Sequence, residues 1–307
     1  MYQLVSESLQ LSLHQPGDGF YAGTRFDRGG VFASLLFHGV EMAGPWFTSY
    51  VPTMHDAVQG PAEEFSAIGF DAAAPGETFL KVGVGLLRRP DDAPYDRFRL
   101  YEIADPGRWE VVSAKDRISF RHVLKGWYEY EKEIVLTGDS SFEIRHMLQG
   151  PVPLEGEVYN HNFFTFGKMA VGPSRQMDFP FRPAGDWRAV YDSVGFTDSG
   201  VRFSRQLAEG ESVYTGNLHA SGRAGMPYDL TIRETAAERH STACPWNLSV
   251  HITGDVPVTH TVLWANHRIA CLEPYNAFRT EPASSFHGLS VESPCRWTVR
   301  YAFLVNC

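Results

Sequence analysis

The chain has 307 residues, 43% hydrophobic, 13% aromatic and 21% charged, with a formal net charge of −9. A chain of this size buries about three quarters of the surface its unfolded form exposes, so it needs no staple, and its composition excludes a disordered, collagen-like or disulfide-scaffold protein. The balance of 36 Asp and Glu against 27 Lys and Arg argues against nonspecific binding to nucleic acid, and no nucleic-acid partner is expected.

The first residues, MYQLVSESLQLSLHQPGDG, carry neither a basic start nor a long apolar run. No signal peptide is expected from them. Nowhere do enough apolar residues follow one another to cross a bilayer, so no membrane partner is expected either. The turn signal Pro16-Gly17-Asp18-Gly19 is followed by the glycine-led apolar run Gly29-Gly30-Val31-Phe32-Ala33-Ser34-Leu35. The stretch from Asp56 to Ile68 could hold a short helix, interrupted at Gly60-Pro61. Lys81 stands alone in an apolar run, with two dinucleotide-type glycines, Gly83 and Gly85, but not the third.

Beyond the loop at 89–94 the dominant signal has period two. Ile118, Phe120, His122 and Leu124 form one row, and Phe142, Ile144, His146 and Leu148 a second. Trp246, Leu248, Val250 and Ile252 form a third; Trp297, Val299, Tyr301, Phe303 and Val305 close the chain. Such alternation puts one row on a buried face and the other on a wetter one. Turn clusters at 105–107, 137–141 and 221–227 separate the runs. Many strands, short turns and scarce helical periodicity predict an all-β chain, an antiparallel sandwich or barrel, in one domain spanning 1–307.

The catalytic motifs that announce themselves are missing: no P-loop, no HExxH, no GxSxG. Cys244, Cys271, Cys295 and Cys307 are scattered and form no CxxC, which favours reduced thiols in a cytoplasmic protein. The sequon Asn247-Leu248-Ser249 matters only in a secretory compartment. Twelve dispersed histidines support no metal site, and none is expected.

Two segments stand out, Tyr159-Asn160-His161-Asn162-Phe163-Phe164-Thr165-Phe166 and Cys271-Leu272-Glu273-Pro274-Tyr275-Asn276-Ala277. With the all-β pattern they resemble the aldose 1-epimerase (galactose mutarotase-like) family. The first is similar to its NHxYFNL strand, whose His is the general acid, and the second to its CLExQ strand end, whose Glu is the general base. The resemblance implies a large antiparallel β-sandwich of the supersandwich type. It also implies a mutarotase that interconverts the α and β anomers of a sugar, with His161 as acid and Glu273 as base. The partner would be a small-molecule carbohydrate, no cofactor would be needed, and the chain would be a monomer or homodimer. The chemistry stands without the name: a base removes the O1 proton, an acid protonates the ring oxygen, the C1–O5 bond opens, and the aldehyde turns before reclosing. One carboxylate and one imidazolium on opposite sides of the anomeric centre suffice, each positioned group contributing ~10²–10⁴-fold. On a strand, His161 shares a face with Tyr159 and Phe163, while Asn160 and Asn162 point the other way.

The family's earlier HGG-type segment is missing. The corresponding stretch runs from Met54 to Phe65, where His55, Glu63 or Glu64 could take its place. Arg25, His55, Glu64, Lys81, Asn160 and Tyr275 are the candidate substrate-binding residues. Three of them also have a structural reading: Arg25 paired with Asp27 beside a turn, His55 as a structural imidazole, and Lys81 snorkelling at the surface. Two functions from other classes stay open. One is a noncatalytic carbohydrate-binding or sensing protein on the same scaffold. The other is an isomerase of an acidic or phosphorylated sugar, gripped by Arg25, Arg88 and Arg89.

Overall fold

A computed structural model describes residues 1–47, 49–167, 169–185, 187–188, 192–216, 218–220, 226–235, 247–281, 284–286, 289–291 and 294–306. Among them no α-helix occurs, and every strand pairing is antiparallel. The alternating rows become long strands: Arg117–Leu124, Tyr128–Gly138, Ser141–Gln149, Asn247–Pro257 and Cys295–Asn306. These form the middle of a ten-stranded sheet, in which Asn247–Pro257 and Ser141–Gln149 flank the closing strand Cys295–Asn306. Trp246, Cys244, Cys307 and most of the loop at 221–227 lie outside the described residues.

A second sheet of six strands carries, in order, Trp187–Arg188, Ser212–Thr215, His260–Asn266, Ala270–Arg279, Glu155–Phe163 and Gly60–Phe65. The last of these corrects the short helix allowed for Asp56–Ile68. Gly60, at a positive φ of 71°, starts an edge strand that is buried along its whole length. Pro61 is tolerated there because an edge strand needs no N–H on its open side.

The main core lies between the two sheets. Ile118, Phe120, Ile134, Phe142, Ile144, Val299, Tyr301 and Phe303 from the large sheet join Leu263, Ala265, Ala270 and Leu272 from the small one in one buried cluster. Burial of such side chains contributes roughly 1.5–3 kcal/mol each. The two central strands of the small sheet are buried on both faces, Ala270–Arg279 with residues 270 to 276 all buried and Glu155–Phe163 with residues 158 to 163 all buried. One face meets the core. Chain also covers the other, and that cover makes a cavity.

The core side holds a polar network. Glu63, Asp27 and Lys132 are fully buried, with Lys132 Nζ bonded to Glu63 and 3.3 Å from Asp27 Oδ2. Tyr130 donates to Asp27 Oδ2 at 3.0 Å, and Asn160 reaches Glu63 Oε1 at 3.4 Å. Buried charges persist when paired and hydrogen-bonded in this way. Arg25 and Asp27 are therefore not each other's partners, as the sequence had suggested. Arg25 pairs with Glu64 instead, and Asp27 with Lys132 and Tyr130.

Candidate active site

Period two decides which residues meet. Tyr159 pairs with Glu64 on one side and Tyr275 on the other; Val262 pairs with Glu273, and His260 with Tyr275. Thus Glu64, Tyr159, His161, Glu273, Tyr275, His260, Val262 and Trp264 share the face turned away from the core. Glu63, Asn160 and Asn162 take the other face. Asn160 was a candidate for substrate binding, and the structure corrects this. Its Oδ1 accepts from Tyr301 at 2.8 Å and its amide reaches Glu63, so it is spent inside the sandwich.

The outward face floors a cavity of about 660 Å³. Glu273, Val262, Trp264, Tyr275 and Tyr159 form the floor and near wall, and Trp46 and Phe163 another wall with stacked rings 5.4 Å apart. Arg25, His55, Arg97 and Phe98 close over it from loops. Tyr159 and Tyr275 stack at 3.9 Å, and His260 stacks on Tyr275 at 4.0 Å. Flat aromatic faces of this kind suit the C–H faces of a sugar ring, and offset stacks hold them rigid.

His161 lies behind this floor with no exposed surface, between two carboxylates. Its Nε2 is 3.2 Å from Glu64 Oε2, and its Nδ1 is 3.1 Å from Glu273 Oε1. The first contact is a hydrogen bond. In the second, Glu273 sits off the N–H direction and leaves Nδ1 without an aligned partner among the described residues. Burial disfavours the imidazolium, but the negative charge of the adjacent Glu273 carboxylate, together with the hydrogen bond to Glu64, outweighs it and raises the His161 pKa above its ordinary value. The expected arrangement, with acid and base on opposite sides of the anomeric centre, is therefore corrected. Neighbouring strands of one sheet hold the two side chains in contact, and only Glu273 faces the cavity.

Glu64 is the hub behind the site. Arg25 Nε donates to its Oε2 at 2.6 Å. Its Oε1 has Arg97 at 3.7 Å and Lys81 at 3.8 Å, too far for hydrogen bonds. Burial would raise its pKa, but Arg25, His161 and Lys81 hold it well below the carboxylate range. Lys81, fully buried, donates to Tyr95 Oη at 2.8 Å, and burial against a partial offset from Glu64 brings its pKa down to about 8. Neither Glu64 nor Lys81 lines the cavity, which corrects both the snorkelling and the direct-contact readings of Lys81. Arg25, His55 and Tyr275 do line it. Arg25 Nη1 lies 3.5 Å from His55 Nδ1, and burial lowers the His55 pKa.

Arg88 and Arg89 lie elsewhere. Arg88 pairs with Glu102 at 3.2 Å, and Arg89 donates to the carbonyls of Phe70 and Ala73 at 3.1 and 2.7 Å. Arg88 ends the strand Gly85–Arg88 of a separate three-stranded sheet with Thr78–Lys81 and Ile103–Asp105, and Arg89 follows it, which leaves the acidic-sugar reading with Arg25 alone of its three residues.

Arg97 is a site residue that the sequence reading missed. It donates to Tyr159 Oη at 3.2 Å, lies 3.5 Å from Tyr275 Oη, and sits 4.9 Å over the Tyr159 ring. The signal was the loop Tyr95-Asp96-Arg97-Phe98, which sets an arginine among aromatics directly after a turn. His161, Cys271 and Glu273 place ligand atoms within 4.8 Å of one another, a set that could hold a transition-metal ion. Burial first, then Glu273, pushes the Cys271 thiol well above its ordinary pKa, and the nearby Arg25 cation opposes a second cation there.

No known family profile matches the chain, and no curated protein is similar to it in sequence. Solved structures do match. The Slr1438 protein of Synechocystis sp. PCC 6803 aligns with 99% of this chain and 96% of its own at 15% identity and a TM-score of 0.56. A GalM/aldose epimerase homologue from C. elegans aligns over 99% and 98% at 13% identity and 0.51. A galactose mutarotase-like protein from Lactobacillus casei aligns over 99% and 100% at 12% identity and 0.50. Across its whole length, then, the chain takes the galactose mutarotase-like β-sandwich fold.

Proposed function

We propose that the chain is an aldose 1-epimerase-like mutarotase. The observation that carries this reading is a carboxylate, Glu273, at the floor of an aromatic-walled cavity and 3.1 Å from the imidazole of His161. Glu273 takes the proton from the sugar O1 hydroxyl. As its carboxylate turns to O1 it leaves His161 Nδ1, whose N–H then protonates the ring oxygen. The C1–O5 bond breaks, the electrons of the O1–H bond form the aldehyde, and rotation about C1–C2 precedes the reverse transfers. His161 keeps its Nε2 proton on Glu64 throughout, so Glu64 fixes the tautomer and orientation of the acid. Arg25, Arg97, His55 and the tyrosines orient hydroxyls.

The test is anomer exchange followed by NMR on a panel of aldoses. Glu273→Gln is expected to reduce the accelerated rate by ~10²–10⁴-fold, the worth of one positioned acid–base group, with unchanged circular dichroism. A wild-type rate equal to that of buffer on every sugar refutes the reading.

One observation favours a second reading, a noncatalytic sugar-binding protein on the same scaffold. His161 is sealed from the cavity, so a ligand that leaves Glu273 in place never meets the acid. Sugar binding by calorimetry without exchange, and unchanged affinity in His161→Gln, would identify that case.

A further inference from the structure

Lys81 is buried, ionisable and unused by the proton transfers. It ends the strand Thr78–Lys81 and meets Glu64 from outside the six-stranded sheet. An ammonium has three N–H donors. Among the described residues, Lys81 Nζ makes one hydrogen bond, to Tyr95 Oη at 2.8 Å. Glu64 Oε1 lies 3.8 Å away, too far for a hydrogen bond but close enough for strong attraction in a buried setting. The ionisable groups that face Lys81 are Glu64 from the strand Gly60–Phe65, Arg25 from the loop before Phe32–Phe37, and Tyr95 and Arg97 from the loop at 89–102.

Folding alone gives little reason for a charge here. Glu64 already has Arg25 at 2.6 Å, and apolar side chains often replace a buried ion pair at no loss of stability. The reason lies in what Glu64 does. His161 must give a proton to the ring oxygen with a carboxylate beside each of its ring nitrogens. Negative neighbours make an imidazolium hold its proton, and a weaker acid transfers it more slowly. Cations around Glu64 work against this. Arg25 and Arg97 also line the cavity, where a ligand can engage them. Lys81 does not, so its charge acts on Glu64 whether or not a sugar is bound.

We propose that Lys81 is a positioning residue of the reaction: held by Tyr95 beside Glu64, its ammonium offsets the Glu64 charge and limits how tightly His161 keeps the proton it must donate. This rests on the proposed role of His161 as the acid. Burial, only partly offset by Glu64, brings the Lys81 pKa down to about 8. The ammonium is therefore present at neutral pH and is lost as pH rises through that value.

The test is a histidine ¹⁵N NMR titration of the full chain with chelator present, the His161 imidazole being assigned by its loss in His161→Gln. In Lys81→Met the pH at which His161 loses its proton is expected to rise by about one unit, the effect of one nearby charge. The conservative Tyr95→Phe removes the oxygen that accepts from the ammonium, and the His161 midpoint should rise in the same direction by less. Anomer exchange in Lys81→Met should be about threefold slower at neutral pH, the cost of a weaker acid. It should converge on wild type as pH rises through about 8, where wild-type Lys81 gives up its own proton. A His161 midpoint unmoved in both variants overturns the proposal, and a rate loss with an unmoved midpoint assigns Lys81 a structural role instead. Where Lys81→Met does not fold, Tyr95→Phe decides by the same midpoint. A midpoint that rises in a chain without exchange on any sugar removes the mutarotase and keeps the coupling of Lys81 to His161.

Discussion

Neutralising Glu64 tests the electrostatics of the site most directly. Glu64→Gln keeps the side-chain shape and removes the one charge that Arg25, His161, Lys81 and Arg97 all face. Arg25 and Lys81 are both buried, and each finds in Glu64 its ion-pair partner among the described residues. Removing one partner of a buried pair costs about 3–5 kcal/mol, because the other charge stays desolvated. With an unfolding entropy of about 2.1 cal/mol/K per residue, that loss over 307 residues lowers Tm by roughly 5–8 °C. Thermal unfolding at neutral pH reads it. Adding Lys81→Met to Glu64→Gln is expected to recover part of the loss, since one stranded cation disappears with its aliphatic stem preserved. The same substitution removes one of the two carboxylates that raise the His161 pKa, so the alkaline limb of any exchange activity moves to lower pH. A Tm within about 1 °C of wild type, the size of an ordinary surface change, together with an unmoved pH profile, refutes the hub assignment.

Three further expectations follow from the same contacts. The folded pKa of His161 is raised, so its stabilisation is complete below its unfolded value of about 6.5 and lost as pH rises through the folded value; urea unfolding should find the gap between wild type and His161→Gln shrinking as pH rises, and a constant gap contradicts this. Arg97→Leu removes donors that reach the cavity-lining Tyr159 and Tyr275, and steady-state exchange should give a KM raised by about tenfold with kcat little changed, the pattern of lost uniform binding; an equal fall in kcat places Arg97 in the chemistry instead. Exhaustive chelation should leave the exchange rate unchanged, because the proposed proton transfers use Glu273 and His161 alone; a rate lost on chelation and restored by zinc assigns His161, Cys271 and Glu273 to a metal instead.

The sequence by itself determined the strands. Rows such as Phe142-Ile144-His146-Leu148 and Trp297 to Phe303 are buried at every second residue, because a pleated strand has no other way to hide an alternating pattern, and only Val305 at the end of the second row is exposed. It also determined which neighbours part company on the Glu155–Phe163 strand: His161 and Asn160 had to take opposite faces. What it could not supply was which face each would find. That Glu64 meets His161 and Arg25 while Glu63 meets Lys132 depends on the pairing of Gly60–Phe65 with Glu155–Phe163, more than 90 residues away in sequence. The strand at 60–65 was itself obscured by Gly60-Pro61, a signal read locally as a breaker and used by the fold as the start of an edge. Arg97 and His260 enter the site from segments whose local sequence names no partner. Their roles arise only when the loop and the strand end converge on Tyr159 and Tyr275. Period two is a local property of the backbone and can be read along the chain. The contact between an imidazole and two carboxylates is a property of strand order, which only the closed sheet defines.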